Sequence, residues 1–269
     1  MKALRQLAFA GVGTAALIFL TGQARAAYVN YDVNIGAHDN INLTLYQAGD
    51  SSGPTEVNDS SALVGEITLA QTGGNLGQDL PKNYSTVCVD LKGTLYVPGN
   101  YGFSDATQFA TGGNGIDPTW GFHSDATDAA QAIQHAADLV YTHLVQGSDW
   151  ANDATHWAAL QLSVWDALYD TTADNYSTSQ YGLSSGRFRA TGGTTSAITL
   201  ADTWLSGINM YATYSGSLLI PDPTSQHNAT AQELFINVTP VPEPTTVLAG
   251  ALLLLPFGMS TLRRKARSA

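Results

Sequence analysis

The sequence predicts an α+β fold: a β-sandwich or barrel-like body with an inserted helical part, plus a terminal apolar segment at each end. Three observations support this prediction. Apolar residues alternate with polar ones through the first third of the chain, which is typical of half-buried strands. They recur every three to four residues in stretches between positions 124 and 211, as in amphipathic helices. An uncharged, mostly apolar run lies near each terminus.

The N-terminal segment has the three parts of a secretory signal peptide. Lys2 and Arg5 form a positive region, and an apolar run follows from Leu7 to Leu20. Ala24 and Ala26 then place small residues at the two positions that a signal peptidase reads. We therefore predict a signal peptide over residues 1–26, cleavage after Ala26 and export across the inner membrane.

Residues 27–240 form the exported body, which is long enough for one sizeable core. Its N-terminal half predicts strands bounded by clusters of Gly, Asp, Ser and Pro. We place these strands at 28–35, 41–46, 63–69 and 84–91, with a short partner at 94–97. Polar or glycine-rich loops are predicted over 71–83 and 98–122.

The second half of the body predicts helices at 124–146, 153–169 and 197–211, a loop at 172–194, and closing strands near 217–220 and 234–238. The second helix has an apolar stripe of Trp157, Val164, Trp165 and Leu168, and Gln161 lies in its middle. Burying an unpartnered amide costs about 1–3 kcal/mol. Gln161 is therefore expected to have a hydrogen-bond partner.

Charge and motif content exclude several classes of function. The body holds 4 basic and 21 acidic residues, a net charge of −17, which disfavours nucleic acid and anionic lipid as partners. The His residues show no zinc-binding spacing, and no phosphate-binding, dinucleotide-binding or nucleophile-elbow pattern is present. We therefore expect no metal, no cofactor and no catalytic set, so the protein is predicted not to be an enzyme.

Cys88 is the single cysteine of the chain, so no disulfide can form within it. In the predicted strand it lies on the face opposite Val87 and Val89, away from the more apolar side. A Cys88 thiolate that attacked the carboxamide of Gln161 would expel ammonia and leave an intramolecular thioester. Docking of the strand on the second helix would bring the two residues together. His156 is a candidate base for this step, and Asp90 a candidate for positioning a proton.

The segments around both residues resemble the paired motifs of bacterial surface thioester domains. The first segment reads Val87-Cys88-Val89-Asp90, with Val87 where Tyr, Phe or Leu is usual. The second, Leu160-Gln161-Leu162-Ser163-Val164-Trp165, matches at every defined position. The resemblance implies a β-sandwich or barrel that carries a helical part. It also implies that Cys88 supplies the thiol, that Gln161 supplies the acyl group, and that the thioester captures a surface or matrix partner covalently.

The last segment, residues 241–269, has three parts in fixed order. The tripeptide Pro242-Glu243-Pro244 precedes an uncharged, mostly apolar run over about 245–262, and a basic cluster closes the chain. This tail resembles the PEP-CTERM sorting signal of Gram-negative bacteria; an ordinary membrane anchor is the alternative. The resemblance implies a transmembrane sorting helix that holds the exported protein transiently in the inner membrane. An exosortase-type enzyme would then process it and release it to the cell surface or the extracellular matrix.

The favoured function is therefore that of a non-enzymatic surface or matrix protein which attaches through a thioester to a polysaccharide or protein nucleophile. The alternative is the same protein without a thioester, acting as a structural or carbohydrate-binding module. A secreted hydrolase is a third class, for which the sequence supplies no recognisable catalytic set.

Overall fold

The computed structural model describes residues 29–46, 55–74, 82–89, 91, 98–109, 126–146, 150–170, 181–221 and 234–240. The strands of this part are β1 Val29–Tyr46, β2 Thr55–Gly74, β3 Asn83–Thr86, β4 Gly99–Phe109, β5 Phe188–Thr191, β6 Tyr214–Pro221 and β7 Leu234–Pro240. The helices are α1 Ala126–Leu139, which continues into a π-helical segment at Val140–Val145, α2 Ala154–Asp170 and α3 Thr195–Ser206. The predicted α+β class is confirmed.

The strands form one antiparallel sheet in the order β3-β2-β1-β4-β6-β7, and β5 pairs with the second half of β1. Alternation along β1 shows why these residues form a strand. Val29, Tyr31 and Val33 are buried, whereas Asp32 and Asn34 between and after them are exposed. One face of the sheet therefore covers the core and the other faces solvent.

The two ends of this sheet contact each other. Phe235 of β7 donates its backbone N–H to the carbonyl of Val87, and the hydroxyl of Thr86 donates to the carbonyl of Phe235 at 2.5 Å. Cys88 forms a bridge with Leu234 in the same antiparallel sense. The segment that follows β3 is therefore held against the last strand of the sheet.

Helix α2 is the central element of the helical part. Every residue from Trp157 to Asp170 is buried, so the helix is enclosed on all sides. It packs against α1 and α3 and also against β1 and β2 of the sheet. An enclosed helix presents each polar side chain to protein rather than to water. Such side chains therefore need partners.

Several predicted boundaries are wrong because tertiary pairing overrides the local pattern. The two strands predicted at 28–35 and 41–46 are one strand, since the polar residues between them continue to pair with β2 across a register shift. Two predicted loops contain strands: β4 lies within 98–122 and β5 within 172–194. The predicted loop at 71–83 begins too early, because β2 extends to Gly74.

The predicted strand at 84–91 is also shorter than expected, because β3 ends at Thr86. Cys88, which was predicted to lie on the less apolar face of this strand, is buried, as Val87 and Val89 are. The three helices are confirmed, although the third ends at Ser206 rather than near 211.

Both terminal segments lie outside the described residues. They include the predicted signal peptide, the sorting motif and the apolar run at 245–262. The predicted strand at 94–97, in the middle of the chain, also lies outside the described residues. Of the helices that are described, none has the length and hydropathy required of a transmembrane span.

Gly186 permits a close approach between the loop before β5 and the end of α2. Its φ is 81°, a left-handed conformation, and a Cβ at this position would collide with Asp170 Oδ2. Gly186→Ala is therefore expected to lower the free energy of unfolding by about 1–3 kcal/mol, measured by urea denaturation. Gly207→Ala is the matched control, because Gly207 has φ −98° and its nearest contact is 3.5 Å. Equal stabilities of the two variants would contradict this account.

Candidate functional site at Cys88 and Gln161

The structure brings Cys88 and Gln161 together through two hydrogen bonds. The backbone N–H of Cys88 donates to Gln161 Oε1 at 2.7 Å, and Gln161 Nε2 donates to the carbonyl of Cys88 at 2.8 Å. Cys88 is 3% exposed and Gln161 is 1% exposed. The expectation that the buried amide has a partner is confirmed, and that partner is the peptide backbone of Cys88.

Gln161 occupies the position of a missing strand partner. The register of β2 with β3 ends at Ile67 opposite Thr86, and two further residues along each strand would place Gly65 opposite Cys88. Among the described residues this pairing stops at Thr86, so Gly65 is not paired with Cys88. A carboxamide offers an N–H donor and a C=O acceptor, as the backbone of a strand residue does. The Gln161 side chain thus completes the hydrogen bonding of Cys88.

Helix α2 fixes this segment at a second point. The hydroxyl of Tyr169 accepts the backbone N–H of Leu91 at 3.0 Å, two helical turns beyond Gln161. The guanidinium of Arg187 lies 5.5 Å from the centre of the Tyr169 ring, within the range of a cation–π contact. Trp157 and Trp165 lie one helical turn before and after Gln161. Both are 4% exposed, so their packing restricts the movement of the Gln161 side chain. The amide is therefore held by packing as well as by hydrogen bonds.

This geometry suits attack of the thiol on the amide carbon. The carboxamide bonds to the N–H and C=O of one extended residue, so it lies near the plane of the hydrogen bonds that this residue makes. The Cβ of a strand residue points out of that plane. We therefore expect the Cys88 side chain on one face of the Gln161 amide, the side from which a nucleophile reaches a carbonyl carbon. The Cys88 N–H already donates to Oε1, the atom on which negative charge would develop.

The candidate base His156 lies in a different environment. Its Nδ1 is 2.6 Å from Asp153 Oδ2, and its ring centre is 5.3 Å from that of Trp150. These contacts belong to the N-terminal turn of α2, and none of the described contacts joins His156 to Cys88. Asp90, the candidate for positioning a proton, is outside the described residues.

Two buried carboxyl groups on α2 escaped the sequence analysis. Asp166 is fully buried, and neither of its oxygens has a hydrogen bond of ordinary geometry to the described residues. Burial, followed by the neighbouring charge of Asp170, raises the pKa of Asp166 well above its usual value. Burial likewise raises the pKa of Asp170 to about 7, although the N–H groups of Phe188 and Arg187 oppose this shift. Two acids four residues apart in a mostly apolar helix were the available sequence signal.

Comparison with known proteins gives no match for this chain. No family model, no curated protein and no solved structure matches the chain. Within the described parts of the chain, no group of three or more His, Cys, Asp or Glu residues is arranged to hold a metal ion. What the site can do is therefore argued from its own geometry.

Proposed function

We propose that this protein is an exported surface or matrix protein whose Cys88 and Gln161 form an intramolecular thioester. The observation that carries the proposal is the pair of hydrogen bonds between the Gln161 carboxamide and the backbone of Cys88. The proposed fold of this body is a barrel-like sheet with a helical part on it, and the contacts between β7 and the segment after β3 support it.

The proposed reaction balances without a cofactor. The Cys88 sulfur bonds to Cδ of Gln161, the bond from Cδ to Nε2 breaks, and the thiol proton leaves with the nitrogen as ammonia. The Cys88 N–H stabilises the developing oxyanion on Oε1. Burial of both residues excludes water and so slows hydrolysis of the product.

The proposed partner is a nucleophile on a surface or matrix polysaccharide or protein. An amine or hydroxyl attacks the acyl carbon, the bond to sulfur breaks, and the thiol of Cys88 is regenerated. The partner then remains joined to residue 161 by an amide or ester bond. The reaction occurs once per molecule, so the protein is a covalent attachment module and not an enzyme. Because the site is buried, the covering residues must move before a large partner can reach it.

The proposed route of this protein to the cell surface is based on its two terminal segments. A signal peptidase removes residues 1–26, and the C-terminal helix then holds the body at the inner membrane. An exosortase-type enzyme next processes the tail at or near Pro242-Glu243-Pro244. Replacing these three residues with alanine should retain the protein in the inner-membrane fraction, whereas wild type should reach the cell surface or the medium. Identical fractionation of the two forms would contradict this route.

Methylamine tests the chemistry of the site. The reagent should label freshly purified wild-type protein, and peptide mapping should place the adduct on residue 161. Cys88→Ala should take up none, because it keeps the carboxamide but has no thiol to activate it. Absence of label in the wild type, or equal label in Cys88→Ala, would contradict the thioester.

A further inference from the structure

A polar groove lies on the solvent face of the sheet, away from the thioester chemistry. It spans β1, β2 and β3 and has a volume of about 360 Å³. This volume falls within the range of small-ligand sites, about 300–1,000 Å³. The groove is lined by Asp32, Asn34, Thr68, Leu69, Ala70, Asn83, Tyr84 and Ser85.

The strand register arranges the outward residues in two rows. Asp32 lies opposite Ala70, which lies opposite Asn83. In the next row Asn34 lies opposite Thr68, which lies opposite Ser85. Adjacent strands are about 4.8 Å apart, so each row is roughly 10 Å long. Ala70 is the smallest of the six side chains and leaves space at the centre of its row.

Part of this polar surface has no hydrogen-bond partner among the described residues. Ser85 donates to Glu66, and Asn100 donates to one oxygen of Asp32. The carboxamides of Asn34 and Asn83 make no hydrogen bond to any described residue, although both line the groove. A carboxamide offers two donor hydrogens and an acceptor oxygen, which matches the mixed donor and acceptor character of sugar hydroxyls.

We propose that this groove binds a neutral polysaccharide chain. Hydroxyl, carboxamide and carboxylate groups line it, and these groups can exchange hydrogen bonds with the hydroxyls of a sugar. Asp32 is the charged residue of this lining, and the exported body carries a net charge of −17. An anionic polysaccharide would therefore be repelled. The proposal does not depend on the thioester, because none of the lining residues takes part in it.

Affinity electrophoresis in gels containing one polysaccharide each tests the proposal. The panel is a soluble α-glucan, a soluble β-glucan, a galactomannan and a xylan, with alginate as the acidic comparison. At least one neutral polymer should retard the wild-type protein, and alginate should not. The double variant Asn34→Ala/Asn83→Ala should bind roughly tenfold or more weakly, since it lacks two hydrogen-bonding groups.

The matched control is Asn40→Ala/Asn58→Ala. These are exposed asparagines on β1 and β2 that do not line the groove, so this variant should bind like the wild type. Cys88→Ala should also bind normally, and the groove variant should keep the methylamine reactivity of the wild type, which separates the two proposals. Failure of every neutral polymer to retard the wild type would overturn the proposal. So would unchanged retardation of a correctly folded Asn34→Ala/Asn83→Ala variant.

Discussion

Gln161→Ala is expected to be clearly less stable than Cys88→Ala, by about 2–6 kcal/mol in the free energy of unfolding. Truncation of Gln161 leaves the backbone N–H and C=O of Cys88 without their present partners in a buried setting. Each orphaned group costs roughly 1–3 kcal/mol. A cavity among Trp157, Trp165 and their neighbours adds to this loss.

Cys88→Ala is the appropriate reference for this comparison. Neither variant can form the proposed thioester, so the cross-link is absent from both. Cys88→Ala keeps both hydrogen bonds, because the backbone of residue 88 makes them. Urea denaturation at neutral pH measures the difference. If the two variants unfolded within about 0.5 kcal/mol of each other, Gln161 would not have the structural role described above.

Asp166→Asn is expected to stabilise the protein at alkaline pH and to weaken the pH dependence of its stability. A carboxyl ionises near pH 3.8 in the unfolded chain, whereas that of Asp170 ionises at about 7 in the folded protein. The folded state therefore binds more protons between these values, and stability falls as the pH rises through this window. A change of this size corresponds to on the order of 4 kcal/mol. Removing the Asp166 charge lowers the free-energy cost of ionising Asp170, because the two residues are one turn apart on α2.

The difference between the variant and the wild type isolates this effect. Burial lowers the pKa of both His135 and His143 to about 4, below the usual 6.5. Stability from these two groups is lost as the pH falls from about 6.5 toward 4, which opposes the carboxyl effect. Both histidines are unchanged in Asp166→Asn, so their contribution cancels. Urea denaturation of the two proteins at several pH values between about 4 and 8 should show a gap that widens with pH. A constant or narrowing gap would contradict the buried carboxyl pair.

Local patterns predicted much of this fold because strong periodicity reports burial directly. The stripe around Gln161 identified α2 to within one residue at each end. The strand β5 could not be predicted, because its four residues are held by pairing with β1 across more than 140 positions of sequence. The strand predicted at 84–91 extends too far beyond Thr86 for a related reason. Alternation assumes one solvated face, whereas Val87, Cys88 and Val89 are all buried.

Two chemical arguments from the sequence identified the candidate pair Cys88 and Gln161. A single cysteine in a chain predicted to be exported and an amide within an apolar stripe each required an explanation. The sequence could not predict the contact between them, which is made by the backbone of Cys88. The amide bonds to the Cys88 backbone just beyond the point where the pairing of β2 with β3 ends, and the local sequence does not show where that pairing ends. The buried acids of α2 were missed because nothing in the local pattern shows that the helix is enclosed on all sides.

The intact mass of freshly purified wild-type protein tests the central claim most directly. Formation of the thioester removes one molecule of ammonia, so the measured mass should lie about 17 Da below the value calculated from the sequence. The deficit should be absent from both Cys88→Ala and Gln161→Ala. A wild-type mass equal to the calculated value, in protein never exposed to amines or strong base, would contradict the thioester.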